Sequence, residues 1–174
     1  MIFFRRGSWE NYVIAGGKAH DKGNYPEAEK HIAAAVKEAE GFGPQDPRLA
    51  TSLNNLAEVY RLEGRYGKAE PLHRRALAIR EVALGPEHPD VGTALNGLAL
   101  VYDAQGRYTE AEPLLKRALA IYEKALGPEH PDMAASLENY AALRRETGRS
   151  DEAAKMEARA EAIRAKHAKE NPAK

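Results

Sequence analysis

Four asparagines, Asn54, Asn55, Asn96 and Asn139, are the side chains whose type and spacing best suit a chemical task, and that task is hydrogen bonding rather than bond-making. A carboxamide carries both donors and an acceptor, so it can pair with the N–H and the C=O of an extended peptide whatever that peptide's sequence. Each such bond contributes about 0.5–1.5 kcal/mol net. Three or four of them, after association costs, support affinity of roughly micromolar at best unless side-chain pockets add to it. The alternative is that these are plain solvated helix positions. Asparagine is a poor helix former, and Asn54 and Asn96 stand in register 42 residues apart, which favours a role.

The remaining candidates are weaker. Arg61 and Arg145 suit a carboxylate ligand, but Glu58, Asp103 and Glu138 are expected on the same face, so pairing inside the protein competes with binding. His88 and His130, each followed by Pro and Asp, suggest a metal site; standing 42 residues apart on successive repeats, they are too distant to share one ion at bond lengths of about 2 Å. They read instead as helix-start residues. The chain holds no cysteine, which excludes disulfides and thiolate metal sites. No segment offers a phosphate-binding glycine loop, an HExxH pattern or a convincing nucleophile and base, so neither enzyme activity nor a cofactor is expected.

These residues are positioned by a repeat. Residues 47–88 and 89–130 are identical at 27 of 42 positions, and the frame continues more weakly on both sides, with Gly64, Gly106 and Gly148 spaced by 42 and Gly23 preceding Gly64 by 41. The units run approximately over 9–46, 47–88, 89–130 and 131–168, with 169–174 as a frayed tail. In the second unit Leu53, Leu56, Ala57 and Tyr60 recur at helical spacing. After Gly64 a second helix carries Ala69, Leu72, Ala76, Leu77, Ile79 and Ala83, and Gly85-Pro86 stops it. Pro71 and Pro113 lie inside these second helices and predict a bend or a late start. Glu157 and Glu161, standing where unit three has Leu115 and Leu119, predict a last helix with a solvated outer side.

Leu53-x2-Leu56-Ala57-x2-Tyr60, then Tyr66 with Ala69 and Ala76, then Pro86, resembles the tetratricopeptide repeat. The 42-residue period, with Ala-Leu-Gly-Pro-Glu-His-Pro-Asp at the join from Ala125 to Asp132, is similar to the kinesin-light-chain subclass. The resemblance implies an all-α superhelix, a solenoid of about four helix-turn-helix repeats. It also implies that the first helix of each pair lines a concave groove holding a peptide segment of a partner protein. Removing the packing positions leaves Thr51, Asn54, Glu58 and Arg61 in unit two, Thr93, Asn96, Leu100 and Asp103 in unit three, and Ala135, Glu138, Ala142 and Arg145 in unit four. Asn55, Gly97 and Asn139 run beside that stripe.

The expected partner is therefore a protein or peptide. With 26 cationic and 26 anionic residues the formal charge is zero, which argues against nucleic acid and anionic membrane as partners. Ile2-Phe3-Phe4 is too short for a signal core or a membrane span, so a cytoplasmic location is expected. A second expectation is homo-oligomerisation through the ends of the array, favoured if Ile2, Phe3, Phe4 and Trp9 are exposed.

Overall fold

The computed structural model describes residues 8–171, and within them eight helices follow one another. They are α1 (Ser8–Asp21), α2 (Tyr25–Glu40), α3 (Pro47–Leu62), α4 (Tyr66–Leu84), α5 (Pro89–Ala104), α6 (Tyr108–Leu126), α7 (Pro131–Glu146) and α8 (Ser150–Glu170). Two compact units result, one holding α1–α4 and ending at Gly85, the other holding α5–α8 and beginning at Pro86. The expectations for Ile2, Phe3, Phe4 and the last three residues lie outside the described residues.

The junctions explain why the helices start where they do. Pro47, Pro89 and Pro131 each occupy the first position of a helix, where the missing N–H is not needed. The residue before each proline caps the helix with its side chain. Asp46 Oδ1 accepts from the Arg48 amide at 2.9 Å, His88 Nδ1 from Asp90 at 3.1 Å and His130 Nδ1 from Asp132 at 3.2 Å. The two junction histidines are thus committed to helix ends. Inside each pair the turn needs a left-handed residue, supplied by Gly23, Gly64, Gly106 and Gly148 with φ between +69° and +75°.

The internal prolines behave differently from the expectation of a late start. Helices α4 and α6 begin at Tyr66 and Tyr108 and continue through Pro71 and Pro113. Both prolines are exposed, as are Gly67 and Thr109 four residues earlier, so the carbonyls that lose their donors belong to exposed residues. Helix α8 also runs to Glu170, two residues into the expected frayed tail; His167 and Lys169 in its last turn suit the negative end of the helix dipole.

In the first unit, Leu49, Leu53, Ala76 and Ile79 form one buried cluster with Trp9, Val36 and Leu72 against it, and Ile32, Leu56 and Val59 form another. Gly16 lets α1 close on α2, since a Cβ there would lie 2.4 Å from Cγ1 of Ile32. In the second unit Leu95, Leu115, Met133 and Leu143 are fully buried. Ala83, expected on the packing face, is exposed, and Leu84 and Leu126 are half-buried at the helix ends. Trp9 is not an exposed patch: its indole N–H donates to Ser52 Oγ at 2.8 Å, joining α1 to α3.

Candidate functional site

In the first unit the expected face lies on α3. The Thr51 hydroxyl donates to the Pro47 carbonyl of its own helix at 3.1 Å. Arg61 grips Glu58 with two hydrogen bonds of 2.8 and 2.6 Å, so the pairing within the face is realised and this cation is occupied. Asn54 turns its Oδ1 to Nδ1 of His73 on α4, at 3.0 Å. Asn55 is half-buried and makes no side-chain hydrogen bond to a described residue.

Asn55 and Glu58 line a cavity of about 180 Å³ together with Gly17 and His20 of α1 and Ile32 of α2. Gly17 borders it without crowding, since a Cβ there would meet nothing within 4 Å. His20 borders it too; its Nε2 is buried with no hydrogen-bond partner, and its Nδ1 lies 3.3 Å from Asp21. Sequence reasoning missed Gly17, His20 and Ile32. The signal was available for two of them: moved by the 41-residue offset between Gly23 and Gly64, Gly17 and His20 fall on Glu58 and Arg61.

In the second unit the face lies on α5 and α7. Thr93 is engaged twice, with the Pro89 carbonyl at 3.4 Å and the Tyr122 hydroxyl at 3.1 Å. Asn96 Oδ1 accepts from Ser136 Oγ of α7 at 3.1 Å. Leu100 is half-buried. Asp103 has a buried Oδ1 without a hydrogen-bond partner, and burial, with the nearby Glu146 carboxylate, pushes its pKa up. On α7, Glu138 takes two bonds of 2.7 Å from Arg164, and Arg145 binds Glu157 with Nε at 2.8 Å, tying both to α8. Asn139 is half-buried with no side-chain hydrogen bond to a described residue, and Ala135 and Ala142 are exposed. The face therefore offers carboxamides and small apolar side chains, with most of its charges already paired.

Each unit also contains a carboxylate lock next to this face. In the first, Tyr60 donates to Glu29 at 2.9 Å and Arg65 donates to the same carboxylate at 2.6 Å, its guanidinium lying 4.3 Å over the Tyr60 ring. The Arg65 bond outweighs burial and holds the Glu29 carboxyl below its ordinary range. In the second, Glu112 collects Lys116, Arg149, Arg144 and the Tyr140 hydroxyl, at 2.8, 2.8, 3.1 and 3.2 Å. Lys116 first, then Arg149, lower the Glu112 pKa to about 2. Among the described residues no three His, Asp or Glu side chains gather as a metal site, and no helix is long and apolar enough to cross a membrane.

The family profile described as Tetratricopeptide repeat matches residues 16–81, 49–124 and 90–166. No curated protein matches. Among solved structures, the chain is similar to repeats from Podosopora anserina described as nearly identical kinesin-light-chain TPR-like repeats. That likeness has 27% identity and a TM-score of 0.75, covering 95% of this chain and 81% of the other. BtubC (BKLC) from P. vanneervenii gives a TM-score of 0.80 at 24% identity over 95% of this chain, which spans 66% of its length. Aspartyl phosphate phosphatase F from Bacillus subtilis gives 0.80 at 17% identity over 95% of this chain and 42% of its own. The last two likenesses concern the fold alone.

Proposed function

Because this chain belongs to the tetratricopeptide repeat family, we propose that it is a non-catalytic protein-interaction module that binds a peptide segment of a partner on the first helices of its helix pairs. The observation that carries this reading is the cavity beside Asn55 and Glu58. A free carboxamide stands there next to about 180 Å³ of space, bounded by Ile32 and Gly17. Such a site suits one small side chain and a backbone hydrogen bond, a combination that supports roughly micromolar affinity. The balanced charge supports a protein rather than a nucleic-acid partner, and a cytoplasmic setting belongs to the same reading.

The test is selection of displayed random peptides on the intact chain, followed by titration of the winners against Asn55→Ala and Asn139→Ala. Loss of about tenfold in affinity, about 1.4 kcal/mol, is expected for peptides seated on these amides. Unchanged affinity in variants with native helical circular dichroism would remove the assignment. A second reading, self-association through α1, is favoured by Ile14 and Tyr12, which are 55% and 36% exposed. Light scattering across a dilution series separates the two, since only self-association makes mass depend on concentration.

A further inference from the structure

The two asparagines that recur in register, Asn54 and Asn96, both turn their oxygens into the protein. Asn54 Oδ1 lies 3.0 Å from Nδ1 of His73, a side chain that is 1% exposed. An amide oxygen only accepts, so Nδ1 of His73 carries the proton and Nε2 is bare. The rest of the site agrees with that tautomer, because Nε2 is buried with no hydrogen-bond partner. The other tautomer would set two lone pairs against each other at 3.0 Å and bury an unsatisfied N–H, costing more than a bare nitrogen. Burial also keeps the ring neutral, pushing its pKa down to about 4.

Asn96 reaches the same arrangement by different means. Ser136 Oγ, in a residue 0% exposed, donates to its Oδ1 at 3.1 Å. A planar carboxamide held by its oxygen points its NH2 group the other way. Neither Nδ2 is bonded within the described residues and neither is sequestered from solvent, so both NH2 groups are available. The position is used otherwise in the last repeat, where Glu138 is bound by Arg164.

We infer that His73 and Ser136 are positioning residues that fix the carboxamides of Asn54 and Asn96 with their NH2 groups outward, so that these positions select the carbonyl oxygens of a bound peptide over its N–H groups. This rests on the peptide-binding reading and sharpens it, because a free asparagine would serve either partner. The neighbouring charges make a neutral acceptor the better fit than a carboxylate. Arg61 is occupied by Glu58, and Asp103 lies on the Asn96 face two helical turns along α5. Carbonyls of the backbone and of Asn or Gln side chains share this chemistry.

Two experiments test it. The first needs no ligand: ¹⁵N NMR of His73 in the intact chain reports its tautomer. The Nδ1–H form is expected, and the Nε2–H form would overturn the orientation of Asn54. The second uses the displayed peptides selected on the wild-type chain, measured against Asn54→Asp and Asn96→Asp. These exchanges keep the inward oxygen and delete the NH2 group, and about tenfold weaker binding is expected of each. Unchanged or tighter binding by folded variants would overturn the selectivity. Replacing peptide Asn and Gln by Ala separates the two sources: lost affinity identifies side-chain carbonyls, and retained affinity identifies the backbone. If selection yields no peptide, the binding reading fails and the selectivity with it, whereas the wrong tautomer with good peptides fails only the inference.

Discussion

A buried histidine gives this fold a pH dependence of its own. The imidazole of His73 titrates near 6.5 when the chain is unfolded and, with burial as the largest cause, at about 4 when folded. Between those values the unfolded chain binds a proton that the folded chain refuses, so stability is complete above 6.5 and declines as pH falls toward 4. About 2 kcal/mol should be lost between neutrality and about pH 5, a range that stays above the window of Glu112, whose carboxyl lies at about 2. His73→Leu, which places there the residue that unit three carries as Leu115, removes this slope. Urea unfolding at the two pH values checks it, and an unchanged slope in the variant refutes the assignment. Two glycines make a contrast at the same scale. Alanine at Gly17 has open space and should stabilise by about 0.5–1 kcal/mol. At Gly92 the new Cβ would lie 2.9 Å from the Tyr122 ring, and overpacking of about 1–3 kcal/mol outweighs the same propensity gain. Gly92→Ala therefore destabilises by up to about 2 kcal/mol in denaturant titration, and a stabilised variant would show that the ring moves aside freely.

At the scale of the element, helix starts were the most legible feature, because Pro at the first position and a polar residue before it have local causes. His130→Ala should cost about 1 kcal/mol by removing the side-chain acceptor for the Asp132 amide, whereas His130→Asp should retain it, since Asp46 does the same work for α3. Equal thermal midpoints for the two variants would mean that the imidazole contributes nothing. Hydrogen-bond partners were not legible. Helical spacing tells which way a Cβ points, and so it identified Leu53 and Leu56 as core, but the direction of the Asn54 amide depends on a histidine on the next helix. Arg144 is the sharper case. It stands where the repeat has Tyr102, and the sequence shows only a lost tyrosine. In the folded unit Arg144 reaches Glu112 at 3.1 Å while Tyr140, one turn earlier on α7, supplies the hydroxyl, so the lock survives with its parts exchanged. Such compensation crosses helices and leaves no period to read.

The distribution of charge over the whole chain bears on association. Its 26 cationic and 26 anionic side chains balance, and many are committed in pairs, including those that cover α8. Arg145 with Glu157 and Glu138 with Arg164 are half-exposed ion pairs, so solvent screening leaves them little weight in stability. Their value lies in what they replace. Glu157 and Glu161 stand where α6 carries Leu115 and Leu119, the first of which is fully buried in its unit. On α8 the same helical face is wetted by carboxylates, so it does not invite an apolar surface to cover it. Glu157→Leu with Glu161→Leu should therefore cost little stability and create a patch worth about 1.5–3 kcal/mol per leucine when buried. Sedimentation velocity over rising concentration should show mass above wild type for this variant. Glu157→Lys with Glu161→Lys should match wild type, because it keeps the face charged while losing the same ion pair. If the leucine variant also matched wild type, the carboxylates of α8 would have no part in keeping this face free, and another feature of the helix would have to do so.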